Sequence, residues 1–201
     1  MRRNPCSVAL LLFVSVPLAA QSTGTPVFHA PYRVFDRYEL GGNVSDAGNI
    51  TFEGFYGFSG DKAAKWDFSL RGGVMDTGGG GKAVLLLGVD ARYRVITQTE
   101  DFPLDGAVVT GVGANLVSGN SRLLIPIGLS LGRRIDIQNS KVSVVPYAEP
   151  VIVPNFGSGK SDVLVALGLG ADLRVNRRFE LRLGIGIGDI ENFSLGFAIA
   201  R

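Results

Sequence analysis

From residue 35 to the carboxyl terminus, apolar and polar side chains alternate with a period of two, in runs of about ten residues. The clearest stretch is DVLVALGLGADLRV, followed by NRR and then FELRLGIGIGDIENFSLGFAIA. Val163, Val165, Leu167, Leu169, Ala171, Leu173 and Val175 fall on one face, and Leu164, Ala166, Gly168, Gly170, Asp172 and Arg174 on the other. In the next run Phe179, Leu181, Leu183, Ile185 and Ile187 oppose Glu180, Arg182, Gly184, Gly186 and Gly188. The last run sets Phe193, Leu195, Phe197 and Ile199 against Ser194, Gly196, Ala198 and Ala200. Such alternation marks β-strands with two chemically different sides.

Seven earlier runs repeat the theme: FDRYELGGNV, ITFEGFYGF, KWDFSLRGGVM, AVLLLGVDARYRVI, DGAVVTGVGANL, LLIPIGLSLGRR and KVSVVPYAEPVIV. Clusters of Gly, Asn, Asp and Ser separate them. Phe55 interrupts the second run. Pro146 and Pro150 predict a bulge or bend in the seventh, because proline cannot donate to a ladder. No helical period of comparable quality appears. The expectation is an all-β fold, a closed antiparallel up-and-down transmembrane β-barrel of about ten strands, or eight if the first and seventh runs do not pair fully.

A soluble barrel or sandwich also alternates, with its apolar face inward. Three features favour lipid outside and a polar lumen inside. The non-apolar face is dominated by glycine, alanine and serine mixed with charges of both signs, and the chain holds 28 glycines. Small residues suit a narrow lumen, whereas glycine on a solvent face only weakens a strand. Aromatic residues collect near alternate connections, with Phe58 and Trp66 at one, Tyr93 and Phe102 at another, and Phe179 after NRR. Run length matches the ~9–11 residues of a tilted spanning strand, and closure satisfies every backbone group where water is absent.

The 201-residue chain has no apolar run long enough for a spanning helix. Its first twenty residues read instead as a secretory signal: Arg2 and Arg3, the apolar VALLLFVSVPLAA, and a small-residue end at Ala19-Ala20. Removing residues 1–20 takes Lys+Arg from 20 to 18 against 18 Asp+Glu, so the mature chain is neutral and nucleic-acid binding is not expected. Cys6 leaves with the signal, and with it any disulfide or thiolate chemistry. Residues 21–34 (QSTGTPVFHAPYRV) carry no period and read as an irregular periplasmic lead-in to a barrel over residues 35–201.

On these runs the chain resembles a small Gram-negative outer-membrane β-barrel protein. The resemblance implies cell outer-membrane localisation, outer-membrane lipid around the barrel and the barrel-assembly machinery as a partner during biogenesis. Phe193, Leu195, Phe197 and Ile199 match the alternate apolar spacing of the family's terminal assembly signal; Arg201 departs from its usual final Phe. The resemblance also implies a periplasmic amino terminus, which places DFP, IDIQNS and NRR in the periplasm and DTGGGGK, SGNS, NFGSGKS and DIEN outside.

Candidate chemistry is sparse. GSGKS at 157–161 has Pro154 where a phosphate loop needs its first glycine and a strand where that loop needs a helix. GGGGKA at 78–83 has Asp76 and Ala83 at two motif positions, and LGLG at 167–170 and GIGIG at 184–188 lack a glycine three residues after the second, where a dinucleotide site needs its third. The one histidine, His29, lies in the lead-in, outside the predicted barrel, so neither a His-dependent enzyme nor a metal or cofactor site is expected. Eleven charged residues should face inward: Glu39, Glu53, Asp67, Arg71, Asp90, Arg92, Arg94, Asp172, Arg174, Glu180 and Arg182. Their mixed signs predict ion pairs that fill the barrel, or a narrow conduit whose charges set selectivity. The expected role is structural or minor small-solute permeability, without enzymatic activity. A soluble secreted lipid-binding barrel and an outer-membrane lipid- or peptide-modifying enzyme are the alternatives.

Overall fold

The computed structural model describes residues 28–32, 37–60, 65–76, 83–117, 119, 121–157 and 160–201. The signal segment, the rest of the lead-in and the DTGGGGK stretch from Thr77 to Lys82 lie outside them. The strands in chain order are β1 (Tyr38–Asp46), β2 (Ile50–Ser59), β3 (Trp66–Met75), β4 (Val84–Ile96), β5 (Asp105–Leu116), β6 (Arg122–Leu124), β7 (Ile127–Gly132), β8 (Ile135–Asp136), β9 (Ser143–Gly157), β10 (Lys160–Arg174), β11 (Phe179–Gly188) and β12 (Asn192–Ala200). All pair antiparallel with their neighbours, and β12 returns to β1, from Glu39 opposite Ala200 to Asp46 opposite Phe193. The sheet is therefore closed.

The short strands β6, β7 and β8 share one register against β9, with Arg122 opposite Gly157, Ile127 opposite Ile152 and Ile135 opposite Val144. They are one strand in three pieces, and the barrel has ten staves. The first run pairs on both sides, with β2 and with β12, so the eight-strand form is not adopted.

The seventh run corrects the sequence reading. It is an unbroken strand, β9, paired along its whole length with β10. The irregularity falls on its other neighbour. Pro146 and Pro154 accept from the N–H groups of Arg133 and Ile125 at 3.2 and 3.0 Å, so their edge faces the β6–β8 stave. A strand residue's nitrogen and carbonyl point the same way, so the missing proline donors leave gaps in that ladder only. The one register shift in the β4–β5 ladder lies between Arg94 and Ile96. The NFGSGKS connection is also tighter than its composition suggests, since the ladder reaches Gly157 opposite Lys160.

The two faces separate as the period demands. Apolar side chains of the outer face are freely exposed, among them Leu40 at 61%, Val163 at 59% and Phe193 at 55%. An apolar surface of this extent wrapped round a closed sheet suits hydrocarbon and not water. The soluble lipid-binding barrel, which needs its apolar rows inside, is excluded. At the end that carries the barrel's termini, Tyr38, Tyr56, Phe58, Phe68, Trp66 and Tyr93 form a continuous outer stripe, each ring 4.4–6.4 Å from the next. Phe55, which interrupts the second run, turns into the lumen over Gly41, and the Arg182 guanidinium stands 5.1 Å from its ring centroid. Among the described residues no helix is long and apolar enough to cross a membrane, a fact that says nothing of strands.

Candidate functional site

Two-residue periodicity aims every second side chain into the lumen, and there the charges meet in three groups. Arg71 on β3 grips Asp90 of β4 with two hydrogen bonds, Nε to Oδ2 at 2.5 Å and Nη2 to Oδ1 at 3.0 Å, and reaches Glu53 of β2 at 3.3 Å. Arg92 on β4 donates its Nε to both carboxylate oxygens of Asp67 on β3 at 3.1 Å. Arg182 on β11 donates to Glu39 of β1 at 2.7 Å and to Glu180, two residues away on its own strand, at 2.8 Å. Neighbouring glycines make room, for Arg71 lies opposite Gly88 and Glu53 opposite Gly73. A charge buried without a partner would be costly, and here each guanidinium meets at least one carboxylate.

Three inward charges remain, and two of them lie beside the Arg182 group. Arg94 lies with its guanidinium 5.9 Å from the Tyr32 ring centroid. Asp172, buried opposite Arg182, leaves its Oδ1 without a hydrogen bond, and Arg174 lies opposite Glu180.

The lead-in holds the largest departure from the sequence reading. Residues Phe28 to Tyr32 lie inside the barrel, with Phe28, Ala30 and Pro31 buried. The His29 backbone N–H donates to Glu149 Oε2 at 2.7 Å. Tyr147 donates its hydroxyl to the Phe28 carbonyl at 3.1 Å, and Ser130 to that of His29 at 2.5 Å. Arg92 Nη1 donates to the carbonyls of Ala30 and Tyr32 at 2.5 and 2.9 Å. The Tyr32 hydroxyl closes the set by donating to Asp105. His29, expected outside the barrel, is thus a lumen residue. Nothing in residues 28–32 alternates, so no local period could announce this. The partners Ser130, Tyr147, Glu149 and Asp105 were also missed. Glu149 and Tyr147 were legible in principle, because the odd-numbered positions of KVSVVPYAEPVIV face inward once the prolines are assigned to the outer face.

The wall behind the segment is apolar. Leu124, Val145, Val151, Val153, Leu164 and Ala166 pack with Phe28, and Ile190, from the turn between β11 and β12, folds inward to join them. Gly168 and Gly170 on β10 supply an open floor. A Cβ at Gly168 would run into the Phe28 ring, and one at Gly170 into the Tyr147 ring. Both rings need the backbone itself as their contact surface, which only glycine offers.

Burial, reinforced by Arg92, Arg182 and Arg71, holds the His29 imidazole well below its usual pKa, so it is neutral. Burial and the hydrogen bond to Asp105 push the Tyr32 hydroxyl up to about 12. His29 Nε2 is out of solvent and has no partner. Cavities of about 20 and 30 Å³ flank this residue, each roomy enough for a water. Among the described residues no group of three His, Cys, Asp or Glu side chains is arranged to hold a metal ion.

No protein-family model matches the sequence, and no curated protein matches it. Among solved structures the chain is similar to the β domain of the Bordetella autotransporter Brka. The TM-score is 0.55 at 18% identity, covering 85% of this chain and 86% of that one. At that identity the likeness is one of architecture, and it agrees with the closed sheet, the apolar exterior and the polar lumen. The chain has the fold of an outer-membrane β-barrel.

Proposed function

We propose that this chain is an integral, non-enzymatic protein of the cell outer membrane, a structural barrel whose lumen is closed by its own amino-terminal segment. The observation that carries the reading is the seating of Phe28 to Tyr32, four of whose five carbonyls accept hydrogen bonds from lumen side chains. A ten-stave barrel is already narrow, and ion pairs on one wall with a peptide segment in the middle fill most of what remains. A signal over residues 1–20 would deliver the chain across the inner membrane. Phe193, Leu195, Phe197 and Ile199 lie on the lipid face of β12, the strand that closes the ring, where the assembly machinery would read them. The non-enzymatic reading rests on the place of His29, which lies in the lumen with its Nε2 out of solvent and without a partner.

Membrane fractionation and planar-bilayer recording test this directly. The protein should stay with the outer membrane after carbonate washing, show a heat-modifiable band, and leave a bilayer electrically silent. Steady conductance steps from the unaltered chain would instead favour a small-solute permeability role, and release into the soluble periplasmic fraction would remove the membrane assignment altogether.

A further inference from the structure

The barrel holds residues 28–32 in an unusual way: it reads their backbone. Carbonyls of Phe28, His29, Ala30 and Tyr32 each accept from a wall side chain, and the His29 N–H donates to Glu149. Of the segment's own side chains, the Phe28 ring sits on the Gly168 floor, the Tyr32 hydroxyl donates to Asp105, and the small Ala30 and Pro31 are buried. Position 29 is loosely enclosed, with a cavity on each side and an unpartnered Nε2.

The donors are fixed by the barrel rather than by the segment. Arg92 is held by both oxygens of Asp67, and the hydroxyl end of Tyr147 fills the space beside Gly170. Ser130, Tyr147, Glu149, Arg92 and Asp105 all stand on strands whose ladders do not include the segment. A wall that presents carbonyl-directed donors, one N–H acceptor, an aromatic seat and a tyrosine acceptor has the chemistry of a peptide site.

From this we propose that the lumen is a binding site for a short peptide: an aromatic residue, a freely variable one, two small or proline residues, then tyrosine. The site is filled in cis by Phe28–Tyr32 and is able to take the same chemistry in trans. The inference rests on the reading of the lumen as closed by that segment, and it adds that closure is a reversible binding event.

The test uses the full chain carrying Phe28→Ala, which weakens the occupant and leaves the wall intact. In planar bilayers this variant should open intermittently. Blocked synthetic peptide FHAPY should suppress the openings, with half-effect at micromolar to millimolar concentration. FQAPY should act within about twofold of it, and AHAPY should be at least about tenfold weaker, as expected from losing one buried aromatic ring. Openings that FHAPY never suppresses would overturn the peptide site while leaving the closed-barrel reading intact, whereas steady conduction by the unaltered chain would sink that reading itself. If Phe28→Ala stays silent, a chain lacking residues 21–32 is refolded and labelled FHAPY binding is followed by anisotropy. Saturable binding supports the site. A folded barrel that does not bind overturns it, and so does a barrel that cannot fold without the segment, because the site would then not exist apart from its occupant.

Discussion

The two walls of the lumen solve the same problem with opposite chemistry. On β1 to β4 and β11 the interior carries ion pairs: Arg71 is shared by Glu53 and Asp90 of the two adjoining strands, Arg92 is held by Asp67, and Arg182 by Glu39 and Glu180. On β6, β9 and β10 it is filled mainly by Leu124, Val145, Val151, Val153 and Leu164, with Glu149 and Asp172 the buried charged residues on those strands. The segment from Phe28 to Tyr32 runs between the two and matches both. Its ring and Ala30 lie with the apolar cluster, while Arg92 of the charged wall takes two of its carbonyls. An apolar wall gains stability with each methylene buried. A charged wall gains little net stability but becomes costly when any one member is missing. The charged wall therefore specifies an arrangement, and the apolar wall supplies adhesion.

Single substitutions should expose that contrast. Arg71→Met strands the Glu53 and Asp90 carboxylates and should cost about 3–5 kcal/mol, read as a fall in the urea midpoint of unfolding in lipid. Adding Glu53→Gln and Asp90→Asn to it should restore most of the loss; a triple variant no better than the single one would break the comparison. Leu124→Ala, at a fully buried position of the apolar wall, should cost about 2–4 kcal/mol in the same measurement. No second substitution on the charged wall should rescue it. Tyr32→Phe removes the donor to Asp105 and should cost about 1–2 kcal/mol.

The smallest effect is pH-dependent. His29 faces Arg71 on β3, Arg92 on β4 and Arg182 on β11, along with Glu39, Asp67, Asp90 and Glu149, and its pKa inside the lumen is depressed. The unfolded chain then takes up a proton that the folded one refuses. Stability from this group is complete above 6.5, the ordinary histidine value, and falls as pH drops below it, by at most ~1.4 kcal/mol per unit. Midpoints of the unaltered chain and of His29→Gln, recorded from about pH 8 down to about pH 5, should converge or cross on the acid side. Curves that stay parallel would remove His29 from the account.

Much of this molecule was legible in the residue order. Period-two alternation is a local property, and it fixed strand existence, the staves in sequence, and which side chains point in. Glu39, Glu53, Arg71, Asp90, Asp172 and Glu180 are buried, and Phe193, Leu195, Phe197 and Ile199 exposed, on the two faces it separates. Proline misled in one place, because Pro146 and Pro150 mark an edge whose neighbour is broken, not a break in their own strand. What only the tertiary structure decided are the meetings between distant residues. Phe28 finds Tyr147 across 119 positions of chain, His29 finds Glu149 across 120, and Arg182 finds Glu39 across 143. Those contacts depend on ring closure and on the lumen's width, which bring opposite staves within reach of one five-residue segment. No local pattern carries that information, since the segment takes its conformation from the walls that hold it.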